Sequence, residues 1–187
     1  MADTSAAKRR LIDIVRERSL SIGGETRLVS GRSTSFYFDM KPSMLHPEGA
    51  ELMAMLILDA LRGAEVDLVG GMEIGAVPLA TAVAVMSQAR GRPLQAFFVR
   101  KQAKDHGARK LIEGLAPGET LAGRRVAILE DVTTTGGSSM KAIEAVRAEG
   151  ATIAAVITVI DRLEGAADTF NAAALPFTAI LTAADFR

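Results

Sequence analysis

The chain has 187 residues, of which 49% are apolar and 24% charged, with a formal net charge of +0 and no cysteine. This length predicts one domain that buries a real core, and the neutral charge gives no sign of a nucleic-acid or anionic-membrane partner. Lack of cysteine excludes disulfides and thiolate metal sites. Because no apolar run approaches the roughly 20 residues of a membrane span and no secretory signal is evident, we expect a cytoplasmic protein.

The first predicted elements form a small N-terminal hood, about residues 1–45. An amphipathic helix is predicted over 6–20 from the apolar residues Leu11, Ile12, Val15 and Leu20. Two short strands follow at 26–29 and 35–39 around a turn at 30–32. The next helix, at 47–62, begins at a proline and ends before Gly63. Its predicted apolar stripe consists of Leu52, Met55, Leu56 and Leu58.

The rest of the chain alternates between short apolar strands and helices. Strands are predicted at 66–70, 94–100, 125–130, 152–160 and 177–181, and helices at 78–90 and 139–149. This alternation predicts an α/β fold with a mostly parallel central sheet flanked by helices. We expect a single domain over 1–187, with its core at about 46–165 and a hood made of about 1–45 and the C-terminal segment. Ligands of such sheets bind beyond the carboxyl ends of the strands, which here are followed by segments 70–77, 100–110, 131–138 and 161–165.

The segment 125–138, RVAILEDVTTTGGS, is the most informative of these. An apolar run meets two carboxylates, Glu130 and Asp131, and a loop rich in hydroxyls and glycine leads into a helix. Glycines and the N–H groups of a helix start can bind a phosphate, while the carboxylates suit sugar hydroxyls or a magnesium shell. An ordinary βα turn with helix-capping Ser and Thr is the alternative interpretation.

Three further segments combine unusual residues with a strand end. The cations and histidine of 100–107 form either a solvated surface or a lid, since about twenty residues separate them from the next strand. The glycines of 70–75 allow close approach of an anion or form a plain turn. Arg162 is either an exposed strand end or a carboxylate-binding guanidinium, and Tyr37 and Phe38 by themselves fit core or hairpin packing.

The chain resembles a known family over nearly its whole length. Segment 125–138 resembles the 5-phosphoribosyl 1-diphosphate (PRPP) signature of type I phosphoribosyltransferases. The pattern Arg-Lys-x-x-Lys-x-His-Gly at 100–107 resembles the mobile loop of the orotate phosphoribosyltransferases. The resemblance implies a type I phosphoribosyltransferase-like fold and Mg²⁺-dependent transfer of the phosphoribosyl group from PRPP to orotate, which yields orotidine 5-monophosphate and diphosphate for UMP biosynthesis. It also implies a homodimer in which loop 100–110 closes over the neighbouring subunit's site.

The resemblance assigns roles residue by residue. The catalytic residues would be Lys104, His106 and Asp131. PRPP would be bound by Arg100, Lys101, Lys104, His106, Glu130, Asp131, Val132, Thr133, Thr134, Thr135, Gly136, Gly137 and Ser138. Orotate would be bound by Thr134, Arg162, Tyr37 and Phe38. Magnesium would be held mainly through PRPP, with no direct protein ligand.

Three positions depart from the family pattern. Glu130 stands where an aspartate is usual, Val29 stands where members often carry lysine, and Gly75 stands where some members carry lysine. Two alternatives remain open: a type I phosphoribosyltransferase for another base, and a regulator that senses PRPP or a nucleotide without turnover. An acceptor without a carboxylate would have no use for Arg162, and a regulator would not need the cations of 100–107.

Overall fold

The computed structural model of the chain describes residues 4–27, 33–102 and 111–187, with the backbone alone at 22–27 and 33–36. Its helices are α1 (Thr4–Arg18), α2 (Lys41–Met44), α3 (Pro47–Ala60), α4 (Ala76–Ala89), α5 (Gly137–Ala148) and α6 (Ala166–Ala172). Its strands are β1 (Leu20–Arg27), β2 (Ser33–Phe38), β3 (Leu68–Gly70), β4 (Gln95–Ala96), β5 (Phe98–Val99), β6 (Ile112–Glu113), β7 (Arg125–Thr133), β8 (Thr152–Asp161) and β9 (Phe177–Thr182). A 3₁₀ turn at Ala183–Phe186 ends the fold.

Five strands form the central sheet in the order β4-β3-β7-β8-β9, and every neighbouring pair is parallel. The prediction of a parallel sheet flanked by helices is confirmed. β7 lies in the middle, and its residues Val126 to Leu129 are fully buried. Such continuous burial explains the uninterrupted apolar run of this strand, because helices cover both faces of the sheet.

The sheet separates two hydrophobic cores, and β7 contributes to both. Ala127 and Leu129 belong to the core shared with α1, α3 and α4. Val126 and Ile128 belong to the core shared with α5 and α6. This alternation follows from the two-residue side-chain period of a strand. No helix in the described part of the chain is long and apolar enough to cross a membrane.

The N-terminal hairpin of β1 and β2 is fixed to the body through the end of the chain. The ring of Phe38 meets the ring of Phe186 edge-on, with centroids 5.1 Å apart. The N–H of Asp39 donates to the Ser19 carbonyl at 2.9 Å, and the hydroxyls of Ser19 and Ser43 are 2.6 Å apart in a buried hydrogen bond. These contacts hold the segment that follows β2 against the core.

Several predicted boundaries were wrong in this region. Helix α1 ends at Arg18, and Leu20 begins β1, which starts six residues before the predicted strand. The chain reverses direction at Ser19. The Ser19 N–H donates to the Val15 carbonyl, and the Ser19 carbonyl accepts the N–H of Asp39 after β2. Tertiary pairing with β2 therefore sets the boundary, and no local helix-stop residue marks it.

The predicted stripe of α3 faces the core, with Leu56 buried and the other three predicted residues packed against the core. The buried residues of this helix are Gly49, Met53, Ala54, Leu56 and Ile57. The other three predicted stripe residues are half-buried, because α3 packs against α1, α4 and the sheet and so buries a wide face. The helix ends at Ala60 with Leu61 as its cap, and α2, α6 and β6 are short elements that the pattern did not predict.

The strand predicted at 94–100 is divided in two. β4 pairs in parallel with β3, whereas β5 pairs antiparallel with β6. Phe97 lies between them with 2% of its surface exposed, and its N–H donates to the Val69 carbonyl at 3.0 Å. Beyond Phe97 the chain still pairs with the segment after β3, since the Val99 N–H donates to the Gly71 carbonyl at 2.8 Å, while β5 pairs on its other side with β6.

Two boundaries near the predicted site also differ. β7 continues past the predicted end at 130, because Val132 and Thr133 pair with Ile160 and Asp161 of β8. Helix α5 begins at Gly137, two residues before its predicted start. The acidic pair therefore belongs to the strand, and the connecting loop is only 134–136.

Truncation of the central strand tests this packing. We expect Leu129→Ala to lower the free energy of unfolding by about 2–5 kcal/mol, because Leu129 has no exposed surface and its loss leaves a cavity. Leu45→Ala, at a side chain that is 72% exposed, should change it by about 0.5 kcal/mol or less. Urea unfolding measures both, and equal losses would contradict the placement of Leu129.

Candidate active site

The carboxyl ends of β7 and β8 lie side by side. Thr133 pairs with Asp161 in the sheet, and the Arg162 N–H donates to the Thr133 carbonyl at 3.0 Å. The loop after β7 and the segment after β8 therefore start from neighbouring points. The acidic pair, the hydroxyl-rich loop and Arg162 meet at one edge of the sheet, where ligands of parallel sheets bind.

Glu130 is a buried carboxyl group with 7% of its surface exposed. The Ser139 hydroxyl donates to its Oε2 at 2.8 Å. Burial, with a further contribution from the charge of Asp131, raises the pKa of Glu130 to about 8, and the Ser139 hydrogen bond opposes this shift. Near neutral pH the group is mostly protonated, so it can donate a hydrogen bond as well as accept one.

Asp131 is the more exposed member of the pair, and its Oδ1 accepts the N–H of Val132 at 2.9 Å. A cation lies nearby on the segment after β2. The pKa of Lys41 is raised, first by its hydrogen bond to Asp39 and further by the charge of Asp39 and by Tyr37 and Asp131. Lys41 thus borders the same edge of the sheet, although no pattern in the sequence singled it out.

The loop 134–136 joins β7 to the start of α5. Gly136 has φ of 85°, a left-handed conformation, and a Cβ there would lie 2.9 Å from Cζ of the buried Phe170 ring. Only glycine fits both requirements. The Thr169 hydroxyl fixes the loop by donating to the Thr135 carbonyl at 2.8 Å, so the N–H groups at the start of α5 are set to bind an anion.

The predicted PRPP-binding residues of 132–138 form two groups, one in the loop and at the start of α5 and the other within β7. Gly137 and Ser138 are exposed at the helix start, and Thr134 and Thr135 lie in the loop. Val132 and Thr133, which were expected in the loop, lie in β7 instead, and Thr133 is 3% exposed. They continue the strand because β8 pairs with them.

Arg162 is a buried guanidinium and not an exposed strand end. Its side chain is 7% exposed and lies 2.8 Å from Oε1 of Glu164. The preceding Asp161 accepts the Leu163 N–H at 2.8 Å, which fixes the bend after β8. A planar guanidinium held in this way can bind a second carboxylate through two parallel hydrogen bonds.

The aromatic pair on β2 separates to opposite sides of the strand. Tyr37 is 38% exposed, whereas Phe38 is 6% exposed and packs on Phe186. Because successive side chains of a strand point to opposite faces, only the Tyr37 side chain of this pair is exposed at the surface.

The glycine-rich loop after β3 contacts the base of the predicted lid. Glu73 accepts the Lys101 N–H on Oε1 at 2.8 Å, and its own N–H donates to the Val99 carbonyl at 2.8 Å. The Arg100 guanidinium lies 3.8 Å from Oε1 of Glu113 on β6. Lys104 and His106 lie outside the described residues, as does Val29, so their predicted roles stay predictions.

Local sequence patterns did not identify several residues of this edge. Ser139 lies nine positions beyond the Glu130 it contacts, across a loop and a helix start. Glu73 meets Lys101, and Lys41 approaches Asp131, from distant parts of the chain. Only Glu164 is close in sequence to its partner, Arg162, and this i,i+2 spacing carries no signal by itself.

Metal binding by the protein alone has little support at this edge. Within 4–27, 33–102 and 111–187, no group of three or more His, Cys, Asp or Glu side chains could hold a metal ion. Glu130 and Asp131 are adjacent, but Glu130 is engaged by Ser139. A cation bound here would therefore need further oxygen ligands from a bound molecule or from water.

Known proteins match both the sequence and the fold. The sequence model of the phosphoribosyl transferase domain matches residues 43–172. An orotate phosphoribosyltransferase of Bradyrhizobium diazoefficiens is 56% identical over 182 residues, which cover 97% of this chain and 97% of the relative.

Solved structures give the same family. The Mycobacterium tuberculosis orotate phosphoribosyltransferase in complex with Fe(III) dicitrate has a TM-score of 0.83 and 37% identity, over 96% of this chain and 98% of that chain. A crystal structure of the same enzyme with PRPP has a TM-score of 0.79 and 34% identity, over 96% and 98% of the two chains. The predicted type I fold is thereby confirmed, and the chain belongs to the phosphoribosyltransferase family, among the orotate phosphoribosyltransferases.

Proposed function

We propose that this protein transfers the 5-phosphoribosyl group from PRPP to orotate and releases diphosphate, forming orotidine 5-monophosphate in pyrimidine biosynthesis. One observation carries the proposal: an acidic pair, an anion-binding loop and a buried arginine meet at the adjacent ends of β7 and β8. The three features match the ribose, the 5-phosphate and a carboxylate-bearing base. Membership among the orotate phosphoribosyltransferases supports the choice of orotate.

The 5-phosphate binds the loop 134–136 and the start of α5. The fixed turn at Gly136 aims the N–H groups of this helix start at the anion, and the helix dipole adds to the attraction. The hydroxyls of Thr134, Thr135 and Ser138 can donate further hydrogen bonds. This contact anchors the end of the ribose that does not react.

Asp131 and Glu130 bind the ribose hydroxyls. As C1 loses its bond to diphosphate, it develops oxocarbenium character, and the negative charge of Asp131 stabilises the developing positive charge. Glu130, mostly protonated near neutral pH, can donate a hydrogen bond to one hydroxyl, and its Ser139 contact keeps the group oriented. No covalent enzyme nucleophile is required, since orotate itself attacks C1.

Arg162 selects the base. Its buried side chain lies against Glu164, and its planar guanidinium is suited to bind the orotate carboxylate through two parallel hydrogen bonds. Thr134 and the exposed ring of Tyr37 complete the base site. A base without a carboxylate would lack this charged hydrogen-bond pair with Arg162.

The diphosphate is neutralised from the lid side. Arg100 and Lys101 stand at the base of the predicted lid, and we assign Lys104 and His106 to the diphosphate itself. Magnesium, held mainly by PRPP oxygens, would neutralise part of the charge of the leaving group. Closure of residues 100–110 would exclude water from the reacting atoms.

We also propose that two copies form a homodimer in which the lid of one subunit covers the site of the other. Helix α4 supports this assignment, because no charged residue occurs between Ala76 and Ala89. Val85 on this helix and Ile74 just before it are 69% and 67% exposed. An uncharged exposed surface next to the lid base is typical of an interface between subunits.

The domain division also remains a proposal. We propose one domain over 1–187, with a hood made of about 1–45 and the C-terminal segment and a core at about 46–165. The family match at 43–172 supports these limits for the core, and the contact between Phe38 and Phe186 supports a hood that packs on the C-terminal segment. A cytoplasmic location stays a prediction.

The first experiment follows the absorbance of orotate with PRPP and Mg²⁺. We expect the wild type to consume orotate and Lys104→Ala to be slower by about 100-fold or more, because the lid cation stabilises the departing diphosphate. Lys141→Ala, on the exposed face of α5, is the matched control and should keep full activity. Turnover with another base but not with orotate would reject orotate as the acceptor. Tight PRPP binding without turnover would indicate a sensor.

Arg162→Lys tests the base site. Lysine keeps the charge but lacks the planar pair of donors, so we expect kcat/KM for orotate to fall about 10- to 100-fold while KM for PRPP stays unchanged. Arg147→Lys, on the exposed face of α5, should match the wild type. Steady-state kinetics with each substrate varied in turn measures both constants. An equal loss toward PRPP and orotate would contradict a role confined to the base.

Glu130→Gln tests the buried carboxyl group. The folded-state pKa lies above the ordinary value of 4.5, at about 8, so the wild type should lose stability as the pH rises between these values. Glutamine cannot ionise, and the variant should gain stability over the wild type at pH above about 8 but not below about 4.5. Urea unfolding across this pH range measures the difference, with the exposed Glu149→Gln as control. A constant difference across the range would disprove the shifted pKa.

A further inference from the structure

Gly75, the last residue before α4, lies directly against the carboxylate of Asp131. A Cβ placed on Gly75 would lie 2.6 Å from Oδ1, 2.7 Å from Cγ and 2.9 Å from Oδ2 of Asp131. Carbon atoms in favourable contact with other heavy atoms stay about 3.5 Å away. The whole carboxylate group therefore occupies the space that a side chain at position 75 would fill.

Backbone conformation does not require glycine at this position. Gly75 has φ of −58° and ψ of −42°, the ordinary right-handed helical region, which every residue adopts easily. Glycine in helical backbone is less stable than alanine because it loses more conformational freedom on folding. Glycine at position 75 thus leaves the space that the Asp131 carboxylate occupies.

We propose that Gly75 is a positioning residue for Asp131: the missing side chain creates the space that holds this carboxylate in its reactive place. The inference rests on the proposed function, which assigns the ribose to Asp131. It also places the loop after β3, the expected diphosphate site, in direct contact with the residue that binds the ribose. The loop and the acid then act as one unit, and a shift of either moves the other.

A side chain at position 75 would displace the Asp131 carboxylate and leave the stability of the fold unchanged. The Asp131 carboxylate ends a short side chain and can rotate about its last bond, so it can turn away from a new methyl group at little cost to packing. It would then lose the Val132 N–H bond at 2.9 Å and its place near Lys41. Gly71 differs, because a Cβ there would lie 2.2 Å from the backbone carbonyl oxygen of Leu129, which cannot move without distorting β7.

Gly75→Ala tests the proposal. We expect kcat/KM for PRPP to fall about 10- to 100-fold, as for other small displacements of a reacting group. KM for orotate and the urea midpoint of unfolding should stay close to the wild type. Gly63→Ala, where a Cβ would meet nothing within 4 Å, should change none of these quantities. Gly71→Ala should lower the unfolding midpoint.

A double variant shows whether the loss of kcat/KM in Gly75→Ala arises through Asp131 or has another cause. In an Asp131→Ala background the carboxylate is gone, so Gly75→Ala should cause no further loss of kcat/KM for PRPP. Three results would each overturn the proposal. Gly75→Ala could show wild-type kinetics, it could show a lowered unfolding midpoint, or it could lower kcat/KM by the same factor in the Asp131→Ala background.

The inference and the proposed function can fail separately. If the wild type does not use orotate, the proposed acceptor is wrong, and the five variants are then compared with the base that the protein accepts. A crystal structure of Gly75→Ala tests the inference without an activity measurement. We expect the Asp131 carboxylate to move by about 1 Å or more, and an unmoved carboxylate would overturn the inference whatever the base.

Discussion

The register between β7 and β8 is the constraint on which the rest of the site depends. Thr133 pairs with Asp161, and the next N–H, that of Arg162, donates to the Thr133 carbonyl. A shift of one residue in this pairing would turn every side chain of one strand to the opposite face. The side chains of the acidic pair would then no longer keep their present positions relative to Arg162. Register is fixed in turn by two hydrophobic cores, because alternate residues of β7 belong to different sides of the sheet.

Three ionisable side chains are buried at this edge, those of Glu130, Asp161 and Arg162, and each has a partner. Asp161 accepts the Leu163 N–H. Glu130 accepts the Ser139 hydroxyl, and Arg162 lies against Glu164. Burial disfavours the charged carboxylate and holds a proton on Glu130 near neutral pH, whereas a guanidinium stays charged. The packing thus fixes a carboxyl group whose ionisation is disfavoured beside the carboxyl group of Asp131 and the guanidinium of Arg162. Fixed groups of this kind stabilise developing charge without having to reorganise during the reaction.

The two ends of the chain meet to complete the site. Phe38 packs on Phe186, and Arg16 donates to the Asp185 carbonyl at 3.0 Å. These contacts hold the segment after β2, which carries Tyr37, Asp39 and Lys41, beside the carboxyl edge of the sheet. Lys41 thereby places a cation close enough to Asp131 to interact with its charge. The segment after β2 therefore contributes charge to this edge of the sheet.

The sequence by itself determined the fold class, the parallel sheet and the family, because long apolar strands, glycine loops and a cation-rich segment are local patterns. It also identified Glu130, Asp131 and the following loop, since these residues are contiguous. It could not find Ser139, Glu73 or Lys41, whose partners lie far away along the chain, nor show that β7 runs on to Thr133. Only the tertiary structure decided that Arg162 is buried, that Phe38 belongs to the core and that Gly75 makes room for Asp131. The reason is physical: burial and close contact depend on which distant segments pack together, and no short stretch of sequence contains that information.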